Sequence, residues 1–280
     1  MEKNIYIRRF PSLSDLAMLL LLFFVSQVAV GAILSGVGMV PPEVSALDAV
    51  DVETYMKEQE ALGLYAAIVY PLSMIASIVL LWIYVCLRGG RRVVHIRHSA
   101  KGFNPSVILV GVLWLIAAQI ILEPLTSVLP QSEDRGLGRG FWACFTAIVS
   151  SAVLEEVLCR GLLFEVLHKR WGVKMSILFS SLFFGLIHIE AATAVVAIVA
   201  GLIFGVLYVR TSSLYATIII HSINNAMAFA LICFGVGDMS LRDIIGDGVL
   251  YWTVYGVAAA IFIACCIEAY FKVFRVAREK

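Results

Sequence analysis

Three short stretches carry residues that could do chemistry inside otherwise apolar surroundings. SAVLEEVLCRGLL (151–163) holds Glu155, Glu156 and Arg160; FFGLIHIE (183–190) holds Phe184 and His188; HSINNA (221–226) holds His221 and Asn225. A carboxylate kept away from bulk water can take a proton from a water molecule, and a neutral imidazole can hold that water from a second side. A second imidazole and a carboxamide can donate hydrogen bonds to an oxygen on which negative charge develops. Together these are the parts needed for water attack on an amide carbonyl without a covalent intermediate. Cys159 lies between Glu156 and Arg160 in sequence and reads as packing. Glu155, His188 and His221 would also make a three-ligand catalytic zinc set, with the fourth position open to water. No HExxH spacing supports that version, and the metal-free one is preferred.

A structural reading competes at each position. An ionisable group at the centre of a spanning helix costs roughly 2.5–3.5 kcal/mol on insertion scales. Glu156 and Arg160, four apart with the glutamate first, can offset that cost as a same-face ion pair that merely fixes helix packing. Glu155 lies about 100° around the helix and cannot share that face. Each histidine alone reads first as a satisfied core residue. Depth counts against coincidence. At 1.5 Å per residue from the nearest basic end, Glu155, His188, His221 and Asn225 lie roughly 20, 21, 16 and 22 Å deep. Four polar groups in one membrane layer predict a shared intramembrane polar cavity.

The elements that must position them are transmembrane helices. Of 280 residues, 61% are hydrophobic and 15% charged, and the apolar residues fall in long blocks, which excludes an ordinary soluble domain. The pattern predicts an all-α polytopic membrane protein, a bundle of about eight transmembrane helices. The spans are 16–38, 64–87, 105–123, 141–165, 173–190, 192–209, 214–234 and 248–271. Residues 1–280 read as one integral membrane domain, with 148–229 as its catalytic core. The first span reads as an anchor, because its apolar core is too long for a cleaved signal. Sixteen Lys and Arg fall in the segments on the N-terminal side of the membrane and four on the other, which predicts cytoplasmic N- and C-termini. Residues 39–63 read as an acidic outer loop, and the basic loop RGGRRVVHIRHSAK (88–101) could hold anionic lipid headgroups. Its His95 and His98 read as solvated. All six cysteines fall within spans, so no disulfide framework is implied. GLIFG (201–205) has the spacing of close helix contact.

Glu155-Glu156-x-x-x-Arg160, Phe184-x-x-x-His188 and His221-x-x-x-Asn225, in that order on consecutive apolar helices, resemble the CAAX-protease and bacteriocin-processing family of intramembrane proteases, also called the Abi family. The resemblance implies a membrane-embedded endopeptidase. It implies Glu155 as base, His188 as a second group activating water, His221 and Asn225 as oxyanion donors, and Glu156, Arg160 and Phe184 in support. It leaves metal dependence open, since the family has been described both as metalloproteases and as glutamate-dependent enzymes. The expected partners are a peptide or membrane-protein substrate and the lipid bilayer, with no nucleic acid. The expected location is a prokaryotic cytoplasmic membrane. A transporter relaying protons through the same groups would favour inverted repeats and broken helices in both halves. Only Pro71 interrupts the interior of a span, and no matching half is evident. A non-catalytic scaffold or immunity protein is the third reading.

Overall fold

A computed structural model describes residues 10–45, 49–89, 96–97, 99, 104–130, 137–237 and 239–275. Their secondary structure is all helical apart from turns and a single bridge residue at Ser213. Among the described residues, seven helical runs are long and apolar enough to cross a membrane. They are α1 (Leu13–Gly36), α2 (Val52–Gly89), α3 (Pro105–Thr126), α4 (Gly140–Leu186), α5 (Ala191–Thr211) and α6 (Leu214–Cys233), then, after the short α7 (Leu241–Ile245), α8 (Val249–Val273). The protein is an all-α polytopic membrane protein, as the sequence predicts.

Two expected boundaries move. The fourth and fifth spans form the single run α4, broken at Gly172, whose φ of 72° and ψ of 179° only glycine adopts readily. The eight expected spans are thus seven runs with one bent. The second difference is α2, which begins at Val52 rather than near residue 64. Asp51 accepts from the Thr54 backbone N–H (3.0 Å) and hydroxyl (2.8 Å), and these bonds hold its carboxyl below the usual range. Glu53 and Lys57 then pair one turn apart at 2.7 Å. Half of the acidic outer loop is therefore a capped, charged extension of the helix.

The chain divides into two compact units. The first comprises residues 1–95 and 133–158, and so α1, α2 and the first part of α4. Inside it, buried Asp15 accepts from Tyr84 (2.6 Å) and from Arg88 Nε (3.0 Å), which ties the start of α1 to the end of α2. Gln27 donates to Ser77 at 2.8 Å farther along the same pair. In lipid, where apolar side chains gain nothing by meeting one another, such bonds and close packing hold helices together.

The second unit comprises residues 96–132 and 159–280. Its central contact joins α4 beyond Gly172 to α5. A methyl at Gly201 would stand 3.0 Å from Ser181 Cα, and one at Gly205 3.0 Å from Ile177, so the GLIFG stretch does bring two backbones close. The described part of the basic loop is pinned in this unit: Leu214 N–H donates to Arg97 O (3.0 Å) and Ser99 N–H to Ser212 O (2.9 Å). Arg97 pairs with buried Glu165 at 2.9 Å, and Tyr208 donates to the same oxygen at 2.9 Å. The Arg97 guanidinium stands over the rings of Phe164 and Tyr208 at 5.6 and 5.7 Å. One loop arginine is therefore committed to protein. His95 and His98 lie outside the described residues.

Candidate active site

Glu155 and Glu156 belong to the first unit; Arg160, Phe184, His188, His221 and Asn225 belong to the second. The two glutamates lie on a single α-helical turn, Ser151–Glu156, with π-helical stretches at Thr146–Ser150 and Val157–Phe164 on either side. π-helical turns are rare and recur at functional sites. Here they alter the angular step, so the 3.6-residue period used to relate Glu156 to Arg160 does not hold beyond Val157. Glu155 is 8% exposed and Glu156 fully buried. On α2, Tyr70 donates its hydroxyl to Glu155 Oε1 at 2.6 Å. That short bond fixes the orientation of the carboxyl group.

The second unit gathers an aromatic and cationic cluster. Arg160, fully buried, donates to the Gly201 carbonyl at 2.8 Å. Its guanidinium stands 5.0 Å from the Phe184 ring centroid and 5.2 Å from that of Phe204. A desolvated cation over a ring face is stabilised by about 2 kcal/mol. Phe184 meets both imidazoles in T-shaped contacts, His188 at 5.1 Å and His221 at 5.8 Å. His221 stacks on Phe204 at 4.8 Å and 27°. One phenyl ring thus touches the guanidinium and both histidines.

His188 is held differently from expectation. The helix ends at Leu186, and His188 sits on the turn beyond it, its N–H donating to Gly185 O at 3.0 Å. Its Nδ1 lies 2.7 Å from the Phe184 carbonyl. A carbonyl only accepts, so Nδ1 carries a proton, and Nε2 is the ring nitrogen left to act as acceptor in the neutral form. That tautomer suits a group that holds a water by one of its hydrogens. Asn225 follows His221 by one turn of α6 and is half-buried. Among the described residues, neither unit gathers three His, Cys, Asp or Glu side chains at metal-binding separation. The zinc set would draw Glu155 from one unit and both histidines from the other.

Sequence reasoning missed Tyr70, Phe204 and Gly201. Aromatic residues in an apolar span look like packing. The one available sign at Tyr70 was its place just before Pro71, inside a helix that has no other proline. Phe204 and Gly201 both lie in GLIFG, which reads as close contact but not as a ring and a carbonyl offered to Arg160.

No curated protein and no solved structure matches the chain. A family does: residues 138–227 match the Rce1-like family, described as Type II CAAX prenyl endopeptidase Rce1-like. The matched segment takes in the diglutamate turn with its π-helical flanks, the ring cluster around Arg160, and α6 as far as Asn225. Over this segment the protein, integral to the membrane through the seven apolar helical runs of its described residues, is similar to the CAAX-protease family that its three motifs resemble.

Proposed function

We propose that the protein is an intramembrane endopeptidase that hydrolyses a peptide bond with water activated by Glu155 and His188. Glu155 takes a proton from the water, His188 Nε2 accepts from the same water, and the oxygen attacks the carbonyl carbon. His221 and Asn225 donate hydrogen bonds to the carbonyl oxygen as it becomes an oxyanion. The proton taken by Glu155 then passes to the leaving amine as the carbon–nitrogen bond breaks. Arg160 and Phe184 hold the imidazoles in place, and Glu156 supports the same helical turn. The reaction as written needs no metal, and no cofactor is included. Substrates are peptides or membrane proteins that reach the site within or at the edge of the bilayer. The distribution of Lys and Arg supports cytoplasmic termini.

The single observation that carries this reading is the family match over 138–227, which spans every residue given a role. The local features agree with it: a buried carboxylate oriented by a phenol, and an imidazole whose tautomer leaves Nε2 as acceptor. The test is a comparison of protein termini in membranes containing the intact chain or its Glu155→Gln variant at equal abundance. New termini that depend on Glu155 are expected. Identical sets of termini would overturn the reading and return the chain to the transporter or scaffold class.

A further inference from the structure

Two amide side chains that the mechanism does not use lie next to Asn225. Gln119 is the fifteenth residue of α3, the polar side chain in the apolar stretch 107–122, and Asn224 immediately precedes Asn225 on α6. Gln119 Nε2 donates to Asn224 Oδ1 at 2.8 Å. Asn224 Nδ2 lies 3.5 Å from Asn225 Oδ1 and donates to it. Gln119 Nε2 also lies 3.4 Å from the Leu115 backbone carbonyl, one turn back on its own helix. All four residues belong to the second unit.

The bonds have one direction. A backbone carbonyl can only accept, so Leu115 O requires the nitrogen end of the Gln119 amide on its side. That nitrogen end faces the oxygen of Asn224, which leaves the Asn224 nitrogen toward Asn225. Asn224 therefore meets the oxygen of Asn225, and the planar carboxamide of Asn225 has its nitrogen end turned from Asn224. An oxyanion donor needs that end and no other. An Asn on a helix can otherwise rotate its amide by half a turn at little steric cost, and the flipped form offers an oxygen to a developing anion. We infer that Gln119 and Asn224 are positioning residues: an amide relay that holds Asn225 with its nitrogen as the donor to the reaction's oxyanion. The inference rests on the function proposed above. Ordinary interhelical hydrogen bonding would need a Gln119–Asn224 pair; it would not need the third amide or the anchoring carbonyl.

The test uses the full chain in liposomes, with a fluorogenic farnesylated peptide ending in a CAAX sequence as probe. Asn224→Asp keeps the size and the acceptor toward Gln119 but loses the donor toward Asn225. Removing one oxyanion donor outright lowers kcat by about 10²–10³. Misdirecting it is expected to lower kcat at least about fivefold, with KM within about twofold. Gln119→Leu, two residues removed from the oxyanion, is expected to act in the same direction with a smaller effect. In an Asn225→Ala background, Asn224→Asp is expected to cause no further loss, because the relay acts only through Asn225. Unchanged kcat in both single variants, or the same fold-loss with and without Asn225, would overturn the relay while Glu155-dependent cleavage stands. A rise in KM alone, or loss of folded protein by melting in both variants, would make the pair a packing contact and also overturn it. Absence of cleavage by the unaltered chain would remove the functional reading and the relay together.

Discussion

Replacing Gly201 by alanine tests the packing that presents a carbonyl to Arg160. The new Cβ would stand 3.0 Å from both Cα and Cβ of Ser181 and 3.2 Å from its hydroxyl. A backbone Cα cannot rotate away, so α4 and α5 must separate by a few tenths of an ångström along their closest approach. Overpacking of this kind costs about 1–3 kcal/mol. Against it stands the gain of about 1 kcal/mol for alanine over glycine inside a helix. The net expectation is a loss of about 0–2 kcal/mol by those two figures. Gly256 on α8 supplies the control, since a Cβ there meets nothing within 4 Å. Gly256→Ala should therefore show only the gain and stabilise by up to about 1 kcal/mol. The difference between the two variants, about 1–3 kcal/mol, corresponds to several degrees of melting temperature at about 2–4 °C per kcal/mol. Thermal unfolding of the purified protein in detergent reads it directly. Peptide cleavage should fall in Gly201→Ala and not in Gly256→Ala, because the Gly201 carbonyl moves with the helix. Equal melting temperatures for the two variants would refute the reasoning.

Further outcomes are expected. Tyr70→Phe removes the hydroxyl on Glu155 without changing the ring, and should lower kcat about tenfold or more for a lost hydrogen bond to a charged group of about 1.5–3 kcal/mol; unaltered kinetics would leave Tyr70 as packing. Arg97→Leu leaves the buried Glu165 without its guanidinium and should destabilise the protein by about 3–5 kcal/mol, as measured by denaturation of the purified chain. Exhaustive chelation in a metal-free preparation should leave cleavage intact, and activity restored only by added zinc would replace the water-activation scheme with a metal-assisted one.

The membrane class and most helix ends were legible because they depend on apolar run length, which lipid enforces residue by residue. The early start of α2 was not, since Glu53 and Lys57 look like loop residues until an aspartate cap and an i,i+4 pair are recognised. The bend at Gly172 lay between two spans already separated in the sequence reading, but nothing in KRWGVK (169–174) discloses a positive φ. At the site, Phe184 meets both His188 and His221, which the motifs placed on consecutive apolar helices without disclosing which rings touch. The expected span ran to residue 190, but the helix ends at Leu186, and His188 is placed by the turn beyond it and a backbone carbonyl. Phe204 and Tyr70 stayed hidden because an aromatic residue in a membrane span has the same sequence signature whether it faces lipid, a guanidinium as Phe204 does, or a carboxyl group as Tyr70 does.

Glu155 carries the central claim, and cleavage of a defined peptide by the purified chain tests it most directly. The full protein and Glu155→Gln, shown by melting to be equally folded, would be reconstituted in liposomes with prenylated and unprenylated CAAX peptides, and the products read by mass spectrometry in ¹⁸O-water. The account predicts one new carboxyl terminus bearing a single oxygen from solvent, formed by the unaltered chain and absent with Glu155→Gln. Cleavage at an equal rate by the variant would contradict it.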